Sequence, residues 1–554
     1  MEEYVEVAFD LGLGDELASD TPMVPLFDLG EGEGGPTTSG AAPSKLIQEV
    51  EIEVKFSVGD NVGALDLGAI GPLGHPVTSE LNALYFDTPD LELESAGIAL
   101  RRRSGGSDAG WHLKTEVSSS GHRIEKRLPI SGARPPRFLR SVLPPELQFR
   151  PLIPVARLET HRTETPVLSS RRSILANVCE DHVRVDAGPL GGGRKGSQQS
   201  AWREVEVELA AGDTRALSHI SRLLLNAGLT PATYGSKIAR ALEGWPRTSV
   251  SDLGGHPVQA AVRRYIENQV GVIQSLEEGV AEGEGEAVHQ SRVAARRLRS
   301  TLDTFSTLFT PTVADHLIGE LRWFGRELSA LRDLQVLRAR LVDGTAAALP
   351  SDPQVLAWLL SGVDAAADAA ASQVRTDVLG PRYEMLQDGL AELVDPRLQT
   401  ANLGGSRADL EDILRASPAK PLGKTMKRLQ AAEVLARALP KRQTLDEKLQ
   451  QAHLWHETRK AAKTVRYAYE ALAPVLGEEG STKVLRWQEA TSALGELQDT
   501  TFELDAIGEL ERGGAISSPQ LSPEGVSRLK QVAEKNMGEQ MRLGRRSLLA
   551  ALRA

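Results

Sequence analysis

Val50-Glu51-Ile52-Glu53-Val54-Lys55-Phe56 alternates apolar and charged side chains without a break. Successive side chains of a strand point to opposite faces, so Glu51, Glu53 and Lys55 share one face and Ile52 and Val54 take the other. Period-two segments of the same kind recur from Lys45 to about Trp245: LNALYFDT, IALRRR, WHLKTE, HRIEKRL, VARLETHRTE, ILANVCEDHVRVD and WREVEVEL. Clusters of Gly, Pro and Ser separate them, the pattern of antiparallel strands, and one helix is expected around Thr214 to Ala227.

The polar positions of these strands are charged almost throughout, and each strand keeps mostly to one sign. Arg101 and Arg103 share a face in IALRRR, Lys114 ends WHLK, and Glu204, Glu206 and Glu208 line up in EVEVEL. A merely solvated sheet face mixes signs and favours Thr, Ser and Lys. A closed barrel that turned these faces inward would bring carboxylates together as hard oxygen ligands for divalent cations. Its Arg and Lys side chains would grip a polyanion beside them. That combination points to phosphoryl transfer, in which positioning and electrostatic stabilisation supply most of the acceleration.

The motifs carry a family resemblance. Glu51-Ile52-Glu53-Val54-Lys55 resembles the ExExK signature of the CYTH superfamily, the triphosphate tunnel metalloenzymes, and YFDTPDLELESAGIALRRR followed by GWHLKTE resembles its next blocks. The resemblance implies an eight-stranded antiparallel β tunnel that binds a triphosphate with Mg²⁺ or Mn²⁺ and usually hydrolyses it. By motif position, Glu51 and Glu53 are implied metal ligands, and Lys55 lies at the tunnel floor. Arg101, Arg103, Lys114 and Arg162 are implied to grip phosphate oxygens, and Lys237 in YGSKIARAL resembles the family's late lysine. Glu204 and Glu206 would complete the metal site, but EVEVEL offers a third carboxylate where the family motif needs two, so Glu206 and Glu208 are the alternative pair. The acidic residue between the Arg162 strand and that motif is either Glu180 or Asp181. Glu125 and Arg127 share a face that either enters the tunnel or lies on the surface, and His112, His122, His161 and His182 are candidate ligands read instead as strand-face or turn residues, because hard metals prefer carboxylates.

Beyond Trp245 the texture changes. RTSVSDLGGHP, from Arg247 to Pro257, reads as a linker, and Ala/Leu/Arg-rich helical segments follow to Ala554. The fold class is therefore multidomain α+β: an acidic, largely disordered tail at 1–44, the tunnel domain at 45–247, a linker at 248–255 and an all-α domain at 256–554. The helical domain repeats itself, because VHQSRVAARRLRSTLDTF and LWHETRKAAKTVRYAYEAL align at a register of about 167 residues. His289 meets His456, Arg292 meets Arg459, Arg296 meets Lys463 and Arg299 meets Arg466. Further echoes pair Arg263 and Arg264 with Lys427 and Arg428, and Asp333 with Asp499.

The four repeated positions, spaced n, n+3, n+7 and n+10, fall on one helical face. Arg297 and its counterpart Thr464 fall off that face. Two such stripes facing each other would form an elongated positive groove for a long anion. HxxRVAARRLR resembles the signature of the CHAD domain, a histidine-bearing α-helical domain often fused behind CYTH. That resemblance implies two four-helix bundles around a basic cavity that binds inorganic polyphosphate, with Arg264, His289, Arg292, Arg296, Arg299, Arg428, His456, Arg459, Lys463 and Arg466 as contacts. Metal chelation by His289 and His456 is the other reading, and it lacks a second His or carboxylate at i+3 or i+4.

The whole-chain numbers bound these expectations. With 554 residues, 41% apolar and 25% charged, the chain has room for more than one packed core. A net charge of −11 argues against a uniformly basic nucleic-acid binder. The single cysteine, Cys179, excludes an internal disulfide and a Cys-rich metal cage, and with no apolar run of membrane-spanning length the cytosol is the expected compartment, with polyphosphate granules as the implied association. The expected activity is hydrolysis of inorganic triphosphate or short polyphosphate. A CYTH enzyme acting on a nucleotide or on thiamine triphosphate, and a polyphosphate-binding module without turnover, are the alternatives.

Overall fold

The computed structural model describes residues 46–59, 61–63, 65–116, 123–130, 132–187, 198–210, 214–243, 257–309, 311–348, 353–395, 407–438, 445–512 and 523–553. The acidic tail, the linker at 248–255 and His122 lie outside the described residues. The chain divides into two compact units, one β-rich within Thr37–Leu253 and one helical, built from Gly254–Leu390 and Ala401–Ala554.

The β-rich unit is one antiparallel sheet of ten strands: β1 (Ile47–Glu51), β2 (Glu53–Val58), β3 (Val77–Asp87), β4 (Ile98–Ser104), β5 (Gly110–Glu116), β6 (Arg123–Leu128), β7 (Ile153–Leu168), β8 (Ile174–Ala187), β9 (Gln198–Leu209) and β10 (Thr230–Pro231). Its order is β1-β6-β5-β4-β3-β7-β8-β9-β2-β10. The expected count of eight is corrected to ten for two physical reasons. The VEIEVKF strand is broken at Ile52, so that Ile47–Glu51 pairs with β6 while Glu53–Val58 pairs with β9. A two-residue strand, β10, adds to the far edge of β2. The two ends of the sheet are thus joined by one residue, and the Ile52 carbonyl accepts the Leu209 amide at 2.9 Å.

Charged side chains fill the inside of this sheet, so its apolar core lies on the outside. Phe56, Val178, Val205 and Val207 point outward against Leu217, Ile220 and Leu224 of α3 (Thr214–Asn226). On the other flank Leu100, Trp111, Leu113 and Leu128 pack with Leu93 of α1 (Glu92–Ser95) and Leu139 of α2 (Arg137–Ser141). Gly105 closes the β4–β5 turn at φ 82°, where a Cβ would fall 2.0 Å from the Glu80 carbonyl oxygen. The short helix α4 (Lys237–Ala241), capped by the Ser236 hydroxyl, ends the unit and presents Lys237 from its first residue.

The helical unit contains α5 (Pro257–Ser275), α6 (Glu277–Ala281), α7 (Gly285–Thr304), α8 (Pro311–Ala348), α9 (Pro353–Val378), α10 (Pro381–Val394), α11 (Arg407–Ala438), α12 (Leu445–Arg512) and α13 (Pro523–Leu552). At Gly477 the helix α12 breaks, with φ 61° and ψ −135°. The pieces follow the sequence repeat: α5 corresponds to α11, α7 to the part of α12 before Gly477, and α8 to the part after it. Apolar stripes of α11, α12 and α13 meet in one core containing Leu429, Trp455, Val465, Trp487, Leu494, Met537 and Leu548. Both α5 and α7 pack on α12, which brings the two repeats together.

Candidate functional site in the tunnel and the basic helical face

Strand register dictates what meets inside the sheet. Lys55 lies opposite Glu206, and Glu53 opposite Glu208, on the β2–β9 pair. Arg162 lies opposite Asp181 on β7–β8, and Asp181 opposite Glu204 on β8–β9. These residues converge on Glu206, whose carboxylate contacts Lys55 and Arg162 and lies 2.8 Å from the Lys237 ammonium. Lys55 also reaches Glu53 at 3.0 Å, and Lys237 reaches Asp181 at 2.9 Å and Glu204 at 2.6 Å. Arg162 forks onto both oxygens of Asp181, at 2.8 and 2.7 Å, and reaches Glu208 at 3.3 Å. Burial opposes ionisation of Glu206, but Lys237, Lys55 and Arg162 outweigh it and hold the carboxyl well below its ordinary range.

Two overlapping triads result, Glu53–Glu206–Glu208 and Asp181–Glu204–Glu206, each with ligand oxygens within 4.8 Å of one another. Three hard carboxylates at that spacing suit a divalent cation that prefers oxygen. Glu206 belongs to both triads, so the choice between its two neighbours in EVEVEL is not exclusive. Of the pair Glu180 and Asp181, it is Asp181 that stands inside. Glu51 stands outside both triads: its carboxylate meets Lys114 at 2.5 Å, across the strand break from Glu53.

The opposite wall is cationic. A cavity of about 590 Å³ is lined by Arg101, Arg103, Lys114, Arg123, Arg127 and Arg162 together with Lys55, Lys237, Glu51, Glu206 and Glu208. Arg103 contacts Asp108, and burial together with the nearby Arg101 and Arg162 pushes its guanidinium down to about 9. Glu125 proves to be a tunnel residue. It is buried, accepts from His112 Nδ1 at 2.9 Å and lies 3.6 Å from Lys114 and 3.8 Å from Arg101. Arg127 lines the same cavity. His112 is fully buried, with its second ring nitrogen 2.9 Å from the Asp108 carbonyl oxygen, and burial lowers its pKa to about 4. His161 and His182 lie on the outer face and are exposed.

Two contributors escaped the sequence reading. Arg123 shares a face with Glu125 and Arg127 and reaches Glu53 at 3.4 Å, a position the same alternation could have supplied. Tyr85 lines the cavity with Leu81 and Ala83, an apolar row that reads as core. Its hydroxyl accepts from Arg101 Nη1 at 3.0 Å, which leaves the phenolic proton free to point elsewhere.

In the helical unit, α7 presents His289, Arg292, Arg296 and Arg299. The first three share a field with Arg332 of α8 and with Arg459 and Lys463 of α12. Burial and these like charges push His289 down to about 3 and Arg292 to about 10, and burial with Arg296 and Arg322 pushes Arg299 to about 10. Asp333 lies 3.7 Å from Arg292, and burial raises its carboxyl to about 7.

Other residues expected in the stripe stand differently. Arg466 pairs with Glu470 at 2.7 Å, Arg428 approaches Glu457 at 3.6 Å, and the exposed Arg264 approaches Glu267 at 3.4 Å. His456 is half-buried on α12. The side chain of Asp499 lies outside the described residues. Arg297 is off the stripe, as its angle on the helix requires, but it is no idle surface charge. It binds Glu470 at 3.0 Å, and Tyr265 donates to the same carboxylate at 2.6 Å, so one acidic group ties α5, α7 and α12 together.

Residues 49–240 match the family model of the CYTH domain, and residues 264–507 match that of the CHAD domain. The chain therefore carries a CYTH domain followed by a CHAD domain. Uncharacterized proteins from two strains of Mycobacterium tuberculosis are 35% identical over 308 residues, which cover 53% of this chain and 59% of theirs. Among solved structures, the CHAD domain of the plant Ricinus communis is 26% identical over 54% of this chain and 93% of its own, with a TM-score of 0.40. The Hippeastrum protein HpAC1, which has a dominant triphosphatase activity, is 20% identical over 36% of this chain and 98% of its own, with a TM-score of 0.24. Among the described residues, no helix is long and apolar enough to cross a membrane.

Proposed function

We propose that the tunnel hydrolyses inorganic triphosphate or short-chain polyphosphate with Mg²⁺ or Mn²⁺, and that the basic face of the CHAD domain binds polyphosphate. The observation that carries this reading is the pair of overlapping carboxylate triads, which share Glu206 and meet the cavity at Glu206 and Glu208, beside the Arg and Lys side chains that line the same cavity. Glu53, Glu206 and Glu208, or Asp181, Glu204 and Glu206, would hold the cation. When bound, the cation supplies charge neutralisation on the phosphate and lowers the pKa of a bound water.

The protein's own part is positioning. Lys55, Arg162 and Lys237 fix the carboxylates in place, while Arg101, Arg103, Lys114, Arg123 and Arg127 receive phosphate oxygens and offset the charge that develops on them. An inorganic substrate is favoured over a nucleotide because Tyr85 is the one aromatic among the described lining residues, and the Arg101 guanidinium stands over its ring, 5.9 Å from the centroid. The wall therefore offers a base no stacking platform.

The deciding experiment is phosphate release from tripolyphosphate, long polyphosphate, ATP and thiamine triphosphate, each with and without Mg²⁺ or Mn²⁺. Metal-dependent turnover of tripolyphosphate above the two organic substrates is expected. Faster turnover of ATP or thiamine triphosphate would overturn the substrate class, and tight binding without phosphate release would overturn the enzyme.

A further inference from the structure

The outer face of the tunnel domain carries an arrangement that the triphosphate chemistry does not use. His161 of β7 and His182 of β8 are direct cross-strand partners, with ring centroids 6.4 Å apart in an edge-on arrangement. On the other side of His161, in register on β3, stands Glu80. Its carboxylate lies 2.6 Å from His161 Nδ1. Both members of that pair are open to solvent, at 51% and 79% side-chain exposure, so the group is reachable by a solute.

The proton positions follow from elementary donor rules. A carboxylate can only accept, so the Nδ1 beside Glu80 carries the hydrogen, and a neutral ring then presents its lone pair at Nε2. That is the tautomer and second-sphere arrangement of a metal-ligating histidine, whose other nitrogen is anchored by a carboxylate. His182 is exposed directly opposite, and Glu180 lies two residues before it on the same face of β8. Arg203, the cross-strand neighbour of His182, is turned away, donating to the Val62 carbonyl at 2.7 Å and the Gly63 carbonyl at 3.2 Å. No guanidinium therefore occupies the space above the two rings by that route.

We propose that His161 and His182, with Glu80 orienting His161, form a surface site for a borderline divalent transition metal, with Zn²⁺ as its representative. Imidazole selects Zn²⁺, Cu²⁺ or Ni²⁺ over Mg²⁺, whereas the tunnel offers carboxylates and selects the hard ions. One chain would thus carry two sites sorted by ligand softness on opposite faces of one sheet. Water completes the shell around the two imidazoles.

The test is calorimetric titration of the full-length protein with Zn²⁺ alone, in buffer holding excess Mg²⁺, against His161→Ala, His182→Ala, the double variant and Glu80→Ala. Loss of one Zn²⁺ equivalent in both histidine variants is expected. Glu80→Ala should weaken the same event about tenfold or more, since removing an anchoring carboxylate costs roughly 10- to 100-fold in affinity. Mg²⁺-supported turnover should be unchanged in all four, because these side chains lie outside the tunnel. A Zn²⁺ isotherm of the double variant that superimposes on wild type overturns the site. So does retention of the event when either histidine alone is removed, because a single surface imidazole does not make a chelate.

Discussion

Replacing Glu206 by Gln is the sharpest perturbation, because one carboxylate serves both triads and touches three cations. The isosteric amide keeps the shape and removes the charge. Each cation retains another partner: Lys55 keeps Glu53, Lys237 keeps Asp181 and Glu204, and Arg162 keeps Asp181 and Glu208. The stability loss should therefore stay below the ~3–5 kcal/mol of a buried charge left with no partner. About 2 kcal/mol is expected, near the worth of one charge-assisted hydrogen bond. For a unit of this size that is a fall of about 4–8 °C in Tm, read by scanning calorimetry at neutral pH.

The gap between wild type and variant should also depend on pH. Glu206 is held below its ordinary range, so its contribution is present above the unfolded pKa and is lost as pH falls through the folded one; in acid the two proteins should converge. Turnover should suffer more than stability. With neither triad complete, loss of a charge-stabilising contribution of several kcal/mol predicts roughly a 10²- to 10³-fold drop in Mg²⁺-dependent phosphate release from tripolyphosphate. A variant that is folded, with the expected Tm shift, and that still turns over within about threefold of wild type would refute the reasoning, since the reaction would then not run through these carboxylates.

Further outcomes are expected elsewhere in the chain. Tyr85→Phe should lower kcat/KM for tripolyphosphate about 10- to 100-fold, the range for a hydrogen bond to a charged group, because the phenolic proton is not used by Arg101; steady-state kinetics with no change would place the hydroxyl outside the substrate's reach. In the helical unit, Ala at Arg292, Arg296 and Arg299, or at Arg459 and Lys463, should weaken polyphosphate binding and flatten its salt dependence in titrations at two ionic strengths. Arg297→Ala should instead lower Tm, because it empties one side of the half-buried Glu470 junction. The carboxyl of Asp333 is raised to about 7, so its contribution to stability is fully present below its ordinary pKa and declines as pH rises toward neutrality. Above about pH 7 its negative charge also offsets Arg292, so Asp333→Asn should remove both the stability slope and any loss of polyphosphate affinity across that range.

Alternation made much of the tunnel legible before any coordinates. The period of two fixed the shared face of Arg101 and Arg103 and the inward set of Glu204, Glu206 and Glu208, because a strand gives a side chain only two directions. It failed where the strand is not regular: the break at Ile52 separates Glu51 from Glu53, and neither residue type nor spacing signals a change of pairing partner. It was silent at Tyr85, since Leu81, Ala83 and Tyr85 are apolar enough to pass for core although they face the cavity. In the helices the repeat located the basic face, yet the compensation of Arg466, Arg428 and Arg264 by Glu470, Glu457 and Glu267 depends on helix packing and on neighbours one turn away. The outward histidines were read correctly as strand-face residues. Their facing one another is a matter of cross-strand register, which no single strand encodes.

The seam at Ile52 bears on how the protein is made. Lys55 waits for Glu206, 151 residues later, before its strand has a partner on that side. At a synthesis rate of about 5–20 residues per second, β2 has been made roughly 8–30 s before β9 emerges. An unpaired strand of that kind is a template for association with other chains, and charged side chains are a recognised protection against it. Glu53 and Lys55 are therefore expected to act before any substrate arrives, keeping the nascent β2 segment soluble until β9 appears, whereas Glu51 on β1 waits only for β6.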